Sequence, residues 1–373
     1  MNKTIGIFGG GQLGRMMAQA ALPLNIQCSF FEAETDCPAA ILGPVFSSKD
    51  PQALQAFIAS AEVFSLEFEN TPVADVDVLT QTKTLHPPRL ALATAQNRLA
   101  EKGLFDELAI PVAPYRAVDS LQSLKQAVDE LGLPIVLKTV TGGYDGKGQF
   151  VLRSEDQIDT AWAELGPAKS LIAESFVKFS REVSIIAVRG QDGDVKTWAL
   201  AENHHHNGIL SHSIVPAPNS TDLQPVAQDY ITRLLNHLNY VGVLTLELFV
   251  TEQGLYANEM ACRVHNSGHW SIEGAICSQF ENHIRAVAGL PLGATDVVRP
   301  TVMVNIIGQH PKSEDVLALK GAHLHLYNKS ERAGRKLGHI TLMPNNSDEL
   351  TDLCRQLAQI LPVPLALTTD MNI

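Results

Sequence analysis

The sequence predicts a molecule in two styles, α/β at its amino end and α+β beyond, closed by a small β-rich module. Over the first ninety residues, short apolar runs alternate with helix-like periods, the pattern of a parallel sheet. Thr4 to Phe8 reads as a buried strand, Gly9 to Gly11 as a tight turn, and Gln12 to Leu22 as a helix stopped by Pro23. A strand at Ile26 to Phe31, a helix near Pro51 to Ala59, a strand at Val63 to Phe68 and a helix after Pro72 continue it. Pro87-Pro88 punctuates the chain, and Ala93 to Leu108 is a helix ended at Ile110-Pro111. From Val112 to about Gly289 strands dominate: Ile135 to Lys138, Leu171 to Ala173, Glu182 to Val188, Lys196 to Leu200 and Gly242 to Val250, with one helix at Leu121 to Leu131. After Pro291, strands at Val302 to Ile307, His323 to Tyr327 and His339 to Leu342 precede a closing helix, Ser347 to Ile360.

The 373 residues suffice for two or three domains. Apolar residues at 45% against 18% charged exclude a disordered tail, and no run approaches the roughly 18 apolar residues that span a bilayer. The run from Ile5 to Phe8 is too short for a secretory leader. Lys plus Arg number 28 against 40 Asp plus Glu, a net −12, which argues against a general nucleic-acid binder. An anionic ligand must therefore meet a local basic patch. Five scattered cysteines, Cys28, Cys37, Cys262, Cys277 and Cys354, form no CxxC pair and suggest a reducing, cytoplasmic setting.

Three motifs carry chemistry. The first, Gly9-Gly10-Gly11-Gln12-Leu13-Gly14, satisfies GxGxxG after a strand, with Glu32 about 20 residues on. Alone it suggests an NAD enzyme, although the turn only promises free N–H groups at a helix start. The second, Thr141 to Gln149, has four glycines in nine residues after a strand ending in Lys138. It is not a Walker A sequence. Its N–H groups can approach phosphate oxygens, so it reads as a lid, against the plainer reading of a hairpin turn beside a snorkelling lysine.

The third is a hairpin. Gly242 to Val250 and Leu255 to Met260 are strands joined across Thr251 to Gly254, and a turn centred on Gln253 sets Glu247 opposite Glu259. Two carboxylates about 5 Å apart repel unless a cation lies between them, and hard oxygen ligands suit Mg²⁺. Asn258 offers a further oxygen; solvated glutamates on a sheet edge are the alternative. Cys262-Arg263-Val264-His265-Asn266 follows, where a guanidinium fork beside two polar side chains fits a carboxylate-like anion. Cys262 has no identifiable proton acceptor at a fixed spacing and is not read as a nucleophile.

Together GGGQLGRM (9–16), GGYDGKGQ (142–149), NEMACRVHNSGHW (258–270), SQFENHIRA (278–286) and GRKLGH (334–339) resemble the ATP-grasp superfamily, and within it the N5-carboxyaminoimidazole ribonucleotide synthetases, known in older usage as the phosphoribosylaminoimidazole carboxylase ATPase subunit. The resemblance implies an ATP-grasp fold divided at 1–92 (a Rossmann-like pre-ATP-grasp domain), 93–290 (the ATP-grasp domain, its lid subdomain near 112–173) and 291–373 (a small C-terminal domain). It implies an ATP-dependent ligase of purine biosynthesis that carboxylates 5-aminoimidazole ribonucleotide with bicarbonate through carboxyphosphate, using ATP and Mg²⁺, as a cytoplasmic homodimer. Another ATP-grasp carboxylate-amine ligase is the nearest alternative, and an NAD oxidoreductase the more distant one.

By the same resemblance, Arg98, Lys138 and the lid residues Gly143, Tyr144, Asp145, Gly146, Lys147, Gly148 and Gln149 hold the nucleotide phosphates. Glu174, Ser175, Phe176 and Val177 form the adenine hinge, Glu182 holds the ribose, and His205 lies near the nucleotide. Glu247 and Glu259 bind the metal, Asn258 is among the nucleotide-binding residues, and Arg263, His265 and Asn266 orient bicarbonate and carboxyphosphate. Tyr144, Asp145, Lys329, Arg335 and Lys336 receive the ribonucleotide; Asp145 is the first choice for taking the amine proton and His265 the second. Lys329 to Lys336 has four basic residues, counting Arg332, against one acid, Glu331. The family usually has Pro where this chain has Cys262.

Overall fold

The computed structural model describes residues 3–143, 148–168 and 170–363. Strand Lys3–Phe8 forms where Ile5, Ile7 and Phe8 are all buried, a run too apolar for a half-exposed strand. It is the centre of a five-stranded parallel sheet in the order Val45–Ser47, Ile26–Glu32, Lys3–Phe8, Val63–Leu66, Thr84–Leu85. Val45–Ser47 and Thr84–Leu85, three and two residues long, are too short to leave a period in the sequence. The carboxyl ends of the central pair deliver Gly9 and Glu67 to the same edge, where open parallel sheets bind ligands.

A four-stranded antiparallel sheet follows in the order Tyr115–Val118, Leu171–Ser175, Ile135–Thr139, Gln149–Leu152. Helices Leu121–Leu131 and Ile158–Leu165 bury Leu124, Ala127, Val128 and Ala161 against it, and Ser120 caps the first helix reciprocally with Ser123. This unit has its own core and carries Lys138 near the glycine-rich loop.

The largest sheet has nine strands. Its path runs Gly254–Ala261, Gly242–Thr251, Arg181–Arg189, Ala201–His206, Ile209–Val215, Thr301–Ile307, Lys336–Leu342, Ala322–Leu326, with Val195–Thr197 beside Arg181–Arg189. The C-terminal strands extend this sheet, because Thr301–Ile307 pairs with Ile209–Val215. The predicted strand at Lys196 to Leu200 is corrected: only Val195–Thr197 pairs, and Trp198 is buried with its indole N–H donated to the Cys277 carbonyl at 3.0 Å. Helix Leu223–His237 was not foreseen from the sequence; it buries Ile231, Leu234 and Leu235 in a core shared with Phe8, Phe57, Phe64, Leu244, Leu246 and Leu248. That shared core fixes the parallel sheet against the large one and brings their ligand edges together. Among the described residues no helix is long and apolar enough to cross a membrane.

Candidate active site

A cavity of about 840 Å³ lies where the three sheets meet, with Gly9, Glu67, Arg98, Lys138, Glu247 and Arg263 on its walls. Its middle is the predicted hairpin. Glu247 and Glu259 are direct cross-strand partners, hence on one face. The register reaches this pairing by two compensating steps. Thr251 pairs with Gly254, so the turn is only Glu252-Gln253, and a bulge then leaves Asn258 extra before Glu259 meets Glu247. Lys102 holds the bulge, donating from Nζ to the carbonyls of Asn258 at 2.8 Å and Ala257 at 3.4 Å, and Glu101 accepts the Met260 N–H at 2.7 Å. Both residues are buried on helix Arg98–Glu107, which Asn97 caps through the N–H groups of Leu99 and Ala100.

The two glutamates differ electrically. Burial and the charge of Glu247 act to push the Glu259 carboxyl up, although its side chain is exposed on the cavity wall. Burial also acts to raise Glu247, but His265 at 3.0 Å, then His205 and Arg263, hold it below the usual range. A facing carboxylate pair with one member destabilised by the other is a donor set that a divalent cation relieves. Glu182, His205 and Glu247 also bring ligand atoms within 4.8 Å of one another. Imidazole in that set suits softer ions than Mg²⁺, and His205 Nδ1 already lies 3.3 Å from Glu182, so Glu247 with Glu259 is the better magnesium seat.

Cations gather on the side of the glycine-rich loop. Lys138 Nζ donates to Glu174 at 3.1 Å and Lys102 lies 3.6 Å from the same oxygen. Burial would raise the Glu174 carboxyl, yet the two lysines lower it. The other Glu174 oxygen is buried with no hydrogen-bond partner among the described residues. Arg98 donates to the carbonyls of Thr139 at 2.9 Å, Gly142 at 2.7 Å and Gly143 at 3.4 Å, tying down the root of the glycine-rich loop. Gly143 and Gln149 line the cavity and Gly148 follows at positive φ, whereas Tyr144, Asp145, Gly146 and Lys147 lie outside the described residues. Of the predicted hinge, Phe176 lines the cavity, Glu174 lies buried beneath it, and Ser175 and Val177 are not on its wall. Glu182 and His205 are on the wall; burial acts to lower His205, but Glu182 and then Glu247 raise it.

Arg263 lines the cavity, but its fork faces protein. Nε and Nη2 grip the two oxygens of Glu69, Nη2 at 2.8 Å, and Nη1 donates to the Val264 carbonyl at 3.1 Å. Burial would raise Glu69, yet Arg263 pulls it down to about 2. Of the five guanidinium N–H groups, this leaves one on each terminal nitrogen for a ligand. Asn266 forms a reciprocal amide pair with fully buried Asn305, at 3.0 and 2.6 Å. Buried Gln279 clamps His265 through both its N–H, at 2.9 Å, and its carbonyl, at 2.6 Å. Cys262 is fully buried, its thiol pushed up to about 12 by burial, which agrees with its exclusion as a nucleophile.

The first glycine motif is where the sequence misleads. The N–H groups of Gly11 and Leu13, at the start of helix Gln12–Ala21, donate to Glu67 at 2.6 and 3.1 Å, and Gly10 N–H donates to Glu32 at 3.0 Å. A Cβ at Gly9, Gly11 or Gly14 would collide with the Glu67 carboxylate. The chain's own acid fills the seat that a pyrophosphate would need, so the dinucleotide reading is set aside. Burial pushes Glu67 up to about 7 against those hydrogen bonds. Lys329 contacts Gln12 and is pulled down to about 8 by burial, despite the charge of Glu67. Lys336 lines the cavity, while Arg335 folds back onto Ser330 Oγ at 2.8 Å.

Sequence reasoning missed Glu67, Glu69, Glu101, Lys102, Gln279 and Asn305. Glu67 and Glu69 had a signal, since acids at the carboxyl end of a parallel strand face the ligand crevice. The others act only through partners distant in the chain.

The chain matches three family models: a ribonucleotide synthetase preATP-grasp domain over residues 1–96, an ATP-grasp domain over 103–280, and a phosphoribosylaminoimidazole carboxylase C-terminal domain over 301–352. It is 46% identical to the N5-carboxyaminoimidazole ribonucleotide synthase of Pseudomonas aeruginosa, over 91% of this chain and 94% of that one. It is 44% identical to the enzyme of the same name from Bacillus subtilis, over 93% of each. Among solved structures, the N5-carboxyaminoimidazole ribonucleotide synthetase of Thermus thermophilus superposes with a TM-score of 0.92 at 44% identity, covering 96% and 99% of the two chains. The Aspergillus clavatus synthase, solved with ADP and 5-aminoimidazole ribonucleotide, gives 0.88 at 29% identity over 96% and 99%.

Proposed function

The chain belongs to the N5-carboxyaminoimidazole ribonucleotide synthase family of ATP-grasp enzymes, and from that we propose that it carboxylates the amino group of 5-aminoimidazole ribonucleotide, using ATP and bicarbonate and releasing ADP and phosphate, in purine (IMP) biosynthesis. The observation that carries the reading is the Glu247–Glu259 pair sharing one cavity with Lys138, Arg98 and Arg263. Glu247 and Glu259, with Asn258 beside them, would hold Mg²⁺, whose chemistry is to offset phosphate charge.

A bicarbonate oxygen attacks the γ-phosphorus of ATP; the new P–O bond gives carboxyphosphate and the broken one releases ADP. Lys138 and Arg98 on the cavity wall would meet the triphosphate charge, and the glycine-rich loop would cover it. The unpartnered Glu174 oxygen suits an adenine amino group at the hinge, with Phe176 against the ring and Glu182 and His205 toward the ribose. The outer N–H groups of Arg263 and the remaining amide capacity of Asn266 orient the carbonate, and the Glu69 and Asn305 grips keep both groups from turning. The substrate amine then attacks the carboxyphosphate carbon, or CO₂ released from it. Phosphate leaves and the amine proton passes to Asp145. Lys329, Arg335 and Lys336 form the basic patch for the ribonucleotide phosphate in an acidic chain.

Five free, buried cysteines fit a reducing cytoplasm, and a homodimer follows from the resemblance alone. The test is ADP release with Mg²⁺, ATP, 5-aminoimidazole ribonucleotide and bicarbonate. The reading requires release to collapse when either the ribonucleotide or bicarbonate is withheld; release indifferent to both rejects it.

A further inference from the structure

We propose that a buried file of polar side chains, Ser213, Asn203, Ser184 and Ser267, locks His265 in the tautomer protonated on Nε2 and holds that N–H beside Glu247. His265 is then a positioning residue for the carboxylate and not an acceptor of the substrate proton. The inference rests on the reading of Glu247 as a metal ligand and deepens it.

The His265 end of the file fixes its direction. His265 stands at the head of the short turn Asn266–Gly268, and its Nδ1 accepts the backbone N–H of Ser267 at 3.3 Å. A backbone N–H only donates, so Nδ1 carries a lone pair. A neutral imidazole with a lone pair on Nδ1 carries its hydrogen on Nε2, which lies 3.0 Å from a Glu247 oxygen on the opposite side of the ring. The backbone contact therefore selects one tautomer.

The rest follows hydrogen by hydrogen. Ser267 Oγ is 2.9 Å from Nδ1 and must donate to it. Having given its one hydrogen, it accepts from Ser184 Oγ at 2.8 Å. Ser184 in turn accepts from Asn203 Nδ2 at 2.9 Å, and Asn203 Oδ1 accepts from Ser213 Oγ at 2.8 Å. Ser184, Ser213 and Ser267 are fully buried and Asn203 nearly so, leaving no bulk water to offer alternatives. Strand register places the file: Asn203 pairs with Ser213 on one side and Glu182 on the other, and Ser184 pairs with Glu247. All of these side chains share the sheet face that carries the two acids.

With Nδ1 covered and Nε2 already protonated, His265 has no free lone pair for the amine proton, which leaves that task to Asp145. What it supplies is a fixed polar N–H 3.0 Å from the Glu247 carboxylate.

The test starts with the parent protein, labelled with ¹⁵N-histidine and assigned by the resonance lost in His265→Gln. The expected two-bond ¹H–¹⁵N pattern is that of an imidazole protonated on Nε2 alone; an Nδ1-protonated ring overturns the proposal without any further variant. Ser184→Ala cuts the file, and Asn203→Asp replaces its amide donor with an acceptor while keeping the volume. Both are expected to blur the His265 pattern into mixed tautomers and to weaken Mn²⁺ binding, read by electron paramagnetic resonance with ADP present, by about 10-fold, the scale of outer-shell effects on metal sites. Parent-like spectra and Mn²⁺ affinity in the folded variants contradict it. The tautomer is read without substrate, so a protein that failed to carboxylate the ribonucleotide would sink the proposed function and leave this result standing.

Discussion

The molecule has two glycine-rich loops that follow strands, and they do opposite things. The first, Gly9 to Gly14, presents helix N–H groups to the chain's own Glu67 and Glu32. The second, beginning at Thr141, is rooted by Arg98 and flanked by Lys138. Glycine supplies close approach in both. Neighbouring elements bring acids to the first and cations, Arg98 and Lys138, to the second.

The comparison breaks first at the Glu247–Glu259 pair. Glu259→Gln is expected to lower ribonucleotide-dependent ADP release about 1000-fold, some 4 kcal/mol of transition-state stabilisation; near-parent turnover would remove the pair from catalysis. Next comes Glu69, the acid that steadies Arg263. Its folded pKa of about 2 lies below the ordinary 4.5, so its contribution is complete above pH 4.5 and is lost as pH falls toward 2. Urea melts of the parent and Glu69→Gln should differ by about 3 kcal/mol at neutral pH and converge near pH 2. A constant difference across that range would show that the pairing does not act through charge.

Glu67→Ala sharpens the contrast between the loops. Freeing the N–H groups of Gly11 and Leu13 should lower stability by about 2 kcal/mol and let inorganic phosphate restore part of it, whereas the parent's melting temperature should ignore phosphate. The smallest effect concerns Lys329, pulled down to about 8. A lysine must be protonated to hold a phosphate, so kcat/KM for the ribonucleotide should fall about tenfold per unit above pH 8. Lys329→Arg, which stays charged, should abolish that limb. An unchanged profile in the variant would assign the limb to another group.

How much of this the sequence held depends on distance along the chain. The alternating elements of the parallel sheet are local, and strands at Thr4 and Ile26 were legible to within a residue or two. The Glu247–Glu259 pairing was also legible, although symmetry about Gln253 found it only because the bulge at Asn258 offsets the tighter turn. Glu69 grips Arg263 from 194 residues away and Asn305 grips Asn266 from the C-terminal strands, and no periodicity records such contacts. The GxGxxG motif misled for the same reason, since the acid that fills it comes from a different strand. The C-terminal strands look like a module of their own in sequence, yet their edge hydrogen bonds are satisfied by Ile209–Val215.

The account turns on whether Glu247 and Glu259 act as one cation seat beside the nucleotide. Mn²⁺ titrations followed by electron paramagnetic resonance, with ADP present, on the parent, Glu247→Gln and Glu259→Gln measure this directly. The account predicts Mn²⁺ binding by the parent and at least about tenfold weaker binding in each single variant, with the double variant little worse than either. Parent-like affinity in both single variants would contradict it.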